Sequence, residues 1–247
     1  MQRWDKMIEI NHVTKSFSTS KKAVDNLNLT IPAGKIFGFL GPNGAGKSTT
    51  IKMMTGILPI DEGSITINGF DITKHPIEAK KIFGYVPDSP DLFLRLKGIE
   101  YLNFIGDVYD VPSDVRQEKI AYLTKTFGIY DALNDTIQTY SHGMRQKIIV
   151  SGVLLHEPKV WILDEPLTGL DPKSSYSLKE MMREHAQKGY TVFFSTHVLE
   201  VVEQLCDEVA IINEGTLLFH GTLEEMRTKF TSDGSLEQMF LELTNHE

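Results

Sequence analysis

"KIFGFLGPNGAGKSTTIKMMTGIL", residues 35–58, decides the architecture. Ile36 to Leu40 is an apolar run without polar alternation, the pattern of a strand buried on both faces. The next nine residues, GPNGAGKST at 41–49, fit the spacing G-x-x-x-x-G-K-[ST], and a helix-like segment follows. A strand that passes through a glycine-rich turn into a helix gathers backbone N–H groups and the positive end of a helix around one point. Phosphate groups suit such a nest. Gly41, Gly44 and Gly46 let the backbone wrap, with Pro42, Asn43 and Ala45 between them and Thr49 closing the motif. Lys47 is placed to neutralise β and γ oxygens, and Ser48 to hold Mg²⁺. A nucleotide site is the expectation.

"VWILDEP", residues 160–166, supplies the complementary acids. Its apolar half predicts a second buried strand that delivers Asp164 at its end, within reach of the Mg²⁺ shell. Glu165 follows at once and can polarise a water for attack on the γ-phosphate, a contribution of about 10²–10⁴ in rate. Without that role it would be a solvated strand-end carboxylate. The pair predicts an ATP hydrolase rather than a mere binder.

Working outward, "MIEINHV" and "NLNLTI" alternate as strands with one exposed face, and "EGSITINGF" reads as another short strand. "KKIFGYVPD" predicts a strand that stops at Pro87. From about 88 to 155 the period becomes helical, as in "IEYLNFIGDVY" and "EKIAYLTKTFGI". Buried-strand patterns return in "GYTVFFSTH", after an intervening helix, and "DEVAIINEGTLLFHG" predicts a hairpin turning at Asn213–Gly215. In the tail "SLEQMFLEL", Leu236, Met239, Phe240 and Leu243 share one helical face, for the core or for a partner. The expected fold is α/β: a P-loop NTPase core of mostly parallel sheet flanked by helices, over about 1–87 and 156–247. It carries an N-terminal antiparallel β subdomain and a helical insertion over about 88–155, within one domain spanning 1–247.

Composition narrows the class. The 247 residues are 41% hydrophobic with a net charge of −8, ordinary for a globular chain and unlike a surface built for a phosphate backbone, so nucleic acid is not an expected partner. The single cysteine, Cys206 in "VVEQLCDEVAII", cannot form an internal disulfide and reads as a small core residue. The opening "MQRWDKMIEINHV" contains acidic residues and lacks the long apolar run of a secretory signal. Nowhere do about eighteen apolar residues run together, so no membrane-spanning helix is expected.

"TYSHGMRQK", residues 139–147, precedes the helical run "IIVSGVLL". Adjacent serine and histidine suggest a nucleophile and its base, but neighbours in sequence rarely face each other and no third group is evident to orient His142. With the other motifs, the stretch acquires a different meaning. The chain resembles the nucleotide-binding subunits of ATP-binding-cassette (ABC) transporters along nearly its whole length, in the family's motif order. "GPNGAGKST" resembles the Walker A loop and "VWILDE" the Walker B strand with its catalytic glutamate. "GLDP" (169–172) resembles the D-loop containing Asp171. "STH" (195–197) resembles the switch whose histidine, here His197, senses the γ-phosphate. Phe17 occupies the position of an aromatic that stacks on adenine, a contact of about 1–3 kcal/mol, unless it is a plain core phenylalanine. "YSHGMRQK" resembles the signature LSGGQRQR, which implies that Ser141 and Gly143 bind the γ-phosphate of ATP held mostly by a second copy of the domain. Ser141 also suits an N-cap.

The resemblance implies ATP and Mg²⁺ as ligands, with Lys47, Glu165 and His197 catalytic. It implies separately encoded polytopic membrane subunits, a second copy of the chain or a related ATPase subunit, and a peripheral place on the cytoplasmic face of the membrane. The form "YSHGMRQ" resembles an exporter branch handling drugs, peptides, lantibiotics or polysaccharides; import is the alternative. Tyr140, His142 and Met144 depart from the usual signature. His142 either adds charge near phosphate or is solvated filler. Asp88 stands where the family has a glutamine. It would bind metal through water or stand back and serve coupling, since a carboxylate about 6 Å from a phosphate costs roughly 3 kcal/mol at an effective dielectric near 20. The following "SPDLFLRLKGIEYL" is where the family docks its membrane partner. Chromosome and repair ABC proteins insert long coiled coils between motifs that here are separated only by residues 49–140. Translation types carry two cassettes. A kinase or GTPase would leave the signature, D-loop and switch unexplained, and no [NT]-K-x-D motif is present. An inactive regulatory module would not need Glu165 or His197.

Overall fold

The computed structural model describes residues 6–18, 21–229 and 236–244. In chain order, β1 (Lys6–Ser18), β2 (Lys21–Pro32) and β3 (Ile36–Leu40) lead into α1 (Lys47–Met54). Then come β4 (Glu62–Ile67), β5 (Phe70–Asp71), α2 (Pro76–Lys80) and β6 (Phe83–Val86). Three helices follow: α3 (Gly98–Val108), α4 (Ser113–Thr126) and α5 (His142–Leu155). The last part runs β7 (Val160–Asp164), α6 (Pro172–Gln187), β8 (Thr191–Thr196), α7 (Leu199–Leu205), β9 (Glu208–Asn213), β10 (Thr216–Gly221), α8 (Leu223–Lys229) and α9 (Leu236–Thr244).

Two sheets form. The antiparallel one has the order β2-β1-β4-β5, and the larger one the order β10-β9-β3-β8-β7-β6. Within the larger sheet β3 pairs in parallel with both β8 and β9, and β7 with both β6 and β8. Only β10 runs antiparallel there, closing the hairpin with β9 across Glu214 and Gly215.

Strand periodicity divides the interior. Phe37, Phe39, Val160, Ile162 and Phe193 point towards the antiparallel sheet and pack on Ile8, Ile10, Leu29 and Ile31. Their neighbours Ile36, Trp161, Leu163, Val192 and Phe194 point the other way, onto the helices α3 to α6. Strands buried on both faces must be continuously apolar, as "IFGFL" is, and as "VWIL" is up to the acid at its tip.

The sequence reading of "EGSITINGF" as one strand is corrected: it is a tight hairpin of β4 and β5. Asn68 and Gly69 take φ of 48° and 81°, the left-handed conformation that an Asn-Gly turn permits. Alternation through Phe70 hid the turn. The tail helix α9 packs Leu236 and Met239 against Leu40, Val209, Ile211 and Phe219, with Phe240 and Leu243 on the same cluster, so its apolar face covers the core. Cys206 sits between that cluster and the helical one. Ser235 of the tail and residues 1–5, on which part of the signal-peptide reading fell, lie outside the described residues.

Phe193 is fully buried, stacked on Phe37 at 5.8 Å and tilted against Phe39 at 5.4 Å between centroids. Truncation there leaves a cavity in the layer beneath the loop at 41–49. Phe193→Ala is expected to lose about 3–5 kcal/mol, measured as a lower urea midpoint at unchanged m-value; a loss below about 1 kcal/mol would contradict this packing.

Candidate nucleotide site

The ends of β3, β7 and β8 lie level. Leu40 pairs with Thr196, and Asp164 with Ser195, so Gly41, Glu165 and His197 all emerge at the carboxyl edge of one sheet. Open α/β sheets bind ligands at that edge.

The glycine-rich loop is held by its neighbours as well as by itself. Gly46 caps α1 at φ 109°, and a Cβ there would lie 2.5 Å from the Ala23 carbonyl. At Gly41 a Cβ would overlap the Ile212 carbonyl oxygen. Gly215 N–H donates to the Ala45 carbonyl at 2.9 Å. The loop therefore threads between β2 and the β9–β10 turn. Lys47 is buried, and its Nζ donates to the Gly41 carbonyl at 2.6 Å and the Pro42 carbonyl at 3.2 Å.

A cleft of about 280 Å³ opens over this loop. Ala23, Asn43, Gly44, Gly46, Lys47, Ser48 and Thr49 line one side; Asp88, Glu165, Thr168 and His197 line the other. Behind it Asp164 is only 1% exposed. Its Oδ1 accepts from the Ser195 hydroxyl at 2.5 Å, and the same hydroxyl oxygen accepts from Glu165 N–H at 3.1 Å. One buried serine thus ties the two acidic residues together. Glu165 adopts φ 48°, a strained conformation for a non-glycine residue costing on the order of 1–3 kcal/mol. Besides Ser195, Thr168 N–H to the Glu165 carbonyl at 3.1 Å and His197 Nδ1 to Oε1 at 2.9 Å hold it there. A carboxylate accepts, so Nδ1 carries the hydrogen of that bond.

Charge in the cleft is balanced around Lys47. Burial pushes its pKa below the usual lysine value, while Glu165, Asp164 and Asp88 push it back up. An arriving phosphate would do the same.

Of the residues singled out in the sequence, 43, 44 and 46–49 line the cleft together with Glu165, His197 and Asp88, and Asp164 lies beneath. Gly41, Pro42 and Ala45 form the loop's frame. Phe17 is 64% exposed on β1, which rules out a place in the core, and it is not among the cleft-lining residues. Ser141 caps α5, its Oγ accepting from Met144 N–H at 3.3 Å, and neither it nor Gly143 lines the cleft. Asp171, grouped in the sequence with ATP-binding residues, spends its carboxylate within the chain. It caps α6 by accepting from Ser174 N–H at 3.0 Å and Oγ at 2.7 Å, and it pairs with Lys147 at 2.5 Å. Lys147 first, then Ser174, holds its carboxyl well below the usual carboxylate range. Ser195, Thr168 and Ala23 were not singled out by sequence reasoning. Ser195 stood inside "STH" without a role, because its partner lies across a strand pairing.

A glycine-rich phosphate loop and an adjacent Asp-Glu pair at the carboxyl edge of a parallel sheet define a P-loop nucleotide hydrolase. The family described as "ABC transporter" matches residues 24–168. The chain is 34% identical to the linearmycin resistance ATP-binding protein LnrL of Bacillus subtilis (strain 168), across 92% of this chain and 73% of that protein. It is also 34% identical to the daunorubicin/doxorubicin resistance ATP-binding protein DrrA of Streptomyces peucetius, across 92% and 68%. A solved structure described as the ATP binding subunit of an ABC transporter superposes with a TM-score of 0.90 at 31% identity, covering 96% of this chain and 99% of that one. The chain belongs to the ABC transporter family, as one of its ATP-binding, ATP-hydrolysing subunits.

Ser195→Ala would leave buried Asp164 without its donor and Glu165 N–H without its acceptor. The expected result is a stability loss of about 1–3 kcal/mol and at least a tenfold lower kcat; wild-type turnover would show that the serine does not position the pair. Lys47 generates a pH prediction. Phosphate binding favours its ammonium, so ATP affinity should fall as pH rises through its lowered pKa, earlier than for an ordinary lysine. Asp88→Asn removes one carboxylate that supports the ammonium and should move that fall to lower pH; Lys47→Arg should abolish it. Binding titrations from about pH 7 to 11 decide, and a shift to higher pH in Asp88→Asn would contradict the assignment.

Proposed function

We propose that the chain powers export through a separate membrane subunit, by binding ATP at the 41–49 loop and closing head-to-tail on a second copy. The observation that carries the reading is the His197–Glu165 bond of 2.9 Å at the mouth of the phosphate-loop cleft. It aims a carboxylate at the place where a γ-phosphate held by Lys47 would meet water. Glu165 takes the proton of that water, and His197 fixes the carboxylate's direction while its other ring nitrogen is free to approach the phosphate. Phe17, exposed on β1, is available to stack on adenine.

The donor set fits Mg²⁺. Among the described residues no group of three or more His, Cys, Asp or Glu side chains is assembled for a metal. Ser48 in the cleft lining and Asp164 buried beneath it are hard oxygen donors of the kind Mg²⁺ takes, and would hold it with phosphate and water completing its shell, Asp88 reaching it only through water. Bound there, Mg²⁺ would neutralise charge developing on the phosphate oxygens.

Ser141 and Gly143 support the two-subunit site. Ser141 is exposed at the start of a helix of 14 residues, outside its own chain's cleft, so the anion that this terminus attracts belongs to another molecule. A second surface suits the membrane partner. Phe83, Tyr85, Leu92, Phe93, Tyr101 and Tyr109 line a groove between β6 and α3, with Leu92 and Phe93 about two-fifths exposed. Among the described residues no helix is long and apolar enough to cross a membrane. The family's partnership with membrane subunits supports a peripheral place for the chain, at the cytoplasmic face. Export follows from the signature form "YSHGMRQ" and from the resistance proteins among the relatives.

Glu165→Gln should keep ATP affinity within about threefold and lose at least a hundredfold in turnover. Tagged and supplied with ATP and Mg²⁺, it should retain a polytopic membrane protein in stoichiometric amount from detergent-solubilised membranes. Recovery of soluble partners alone, with ATP bound, would remove transport from the reading.

A further inference from the structure

A second cavity, of about 300 Å³, lies at the other end of the sheet from the phosphate loop. Val160 and Thr191, the first residues of β7 and β8, pair side by side. Trp161 comes next, and Glu157, Lys188 and Tyr190, which also border the cavity, precede those strands. Its walls come from α4 and the end of α5 on one side and from β7 and α6 on the other, so it sits between the helical insertion and the core. The volume is that of a small-ligand site.

Two buried polar groups in its wall are unpaired. Among the described residues only three buried side-chain polar atoms have no hydrogen-bond partner: Gln146 Oε1, Trp161 Nε1 and His185 Nε2. Two of the three belong to residues of this one cavity, although Trp161 is 5% exposed and His185 7%. Their rings stack at 4.2 Å between centroids, with Tyr190 tilted against His185 at 5.0 Å. A buried indole N–H usually finds an acceptor, so the unpaired state calls for a physical reason.

The two nitrogens ask for opposite partners. Indole Nε1 can only donate. Burial pushes the His185 pKa down to about 4, against the pull of a hydrogen bond to the Lys159 backbone, so the ring is neutral. With Nε2 unpartnered, Nδ1 serves Lys159 and carries the hydrogen, and Nε2 keeps a lone pair. The rim adds no net charge: Glu157 pairs with Lys119 at 3.0 Å, and the remaining Glu184 and Lys188 are of opposite sign. It is also able to part. Tyr122, Glu184 and Lys188 are exposed, and their side chains make no hydrogen bond or ion pair among the described residues.

We propose that this cavity binds an uncharged planar aromatic ligand that offers an acceptor to the Trp161 indole N–H and a donor to His185 Nε2, as a ring-fused lactam does. Aromatic walls supply the affinity, and the donor–acceptor pair supplies the selectivity. The site shares no residue with the ATP cleft and is complete within one chain.

The test uses the full chain with Trp4→Phe, which leaves Trp161 as the sole tryptophan and gives its indole N–H a resonance of its own in ¹⁵N-labelled protein. The probe is 2-quinolinone. It should move that resonance downfield and saturate with a Kd below about 1 mM, with or without saturating ATP and Mg²⁺. N-methyl-2-quinolinone, which lacks the donor, should bind at least about tenfold more weakly, and so should 2-quinolinone to His185→Phe. Without probe, His185→Phe should melt no lower than the parent, because it removes an unpaired nitrogen and keeps the stacked ring. If that variant melts lower, the comparison of the two quinolinones on the parent decides alone. A resonance that does not saturate below that concentration refutes the site. Equal binding of the N-methyl compound refutes the donor–acceptor assignment, and displacement by ATP places the probe in the nucleotide cleft and overturns the proposal.

Discussion

The parallel pairing of β3, β7 and β8 is the constraint on which the rest depends. A parallel ladder fixes where neighbouring strands end, and here Leu40 stands beside Thr196 and Asp164 beside Ser195. Phosphate loop, acidic pair and histidine meet because the strands beneath them stop at one level. A slip of one residue in β7 would turn Asp164 to the other face of the sheet and bury Trp161 against the wrong cluster. The apolar alternation of Val160, Trp161, Ile162 and Leu163 between two cores is what forbids it. Core packing and catalytic geometry are thus one problem.

Electrostatics decides how that edge is used. Lys47 is out of water, which weakens its ammonium, and three carboxylates compensate. The compensation is incomplete, so the site gains when phosphate arrives. Glu165 is held in a left-handed backbone by three hydrogen bonds, with Ser195 at the end of β8, with His197 just beyond it and with the turn at Thr168. Strain of about 1–3 kcal/mol is tolerable where several bonds over-determine the position, and it leaves the carboxylate standing clear of the strand.

Much of this was legible in the sequence, because the signals are local. The GPNGAGKST loop requires its glycines within nine residues, and the run "VWILDE" announces a buried strand with acids at its tip. The helical stretch between β6 and β7 showed itself by period alone. The misses have physical reasons. In "EGSITINGF" the alternation continues across Asn68–Gly69, so a hairpin looked like a strand. Ser195 carries no sequence mark of its bond to Asp164, which exists only through strand pairing. Nor does the sequence show that Asp171 gives its carboxylate to Ser174 and Lys147 within the chain, contacts made by how α5 and α6 meet. Nothing in the sequence places Gly169 beneath the His142 ring, a contact that only the packing of the two turns creates. Tertiary contacts between distant segments leave no periodicity to read.

The central claim is that one chain holds the phosphates and a second copy completes the site. Native mass spectrometry of Glu165→Gln with ATP and Mg²⁺ tests it most directly. The account predicts a species of two chains carrying two ATP molecules, absent when ATP is withheld. A single chain binding one ATP, and remaining single at every protein concentration, would contradict it.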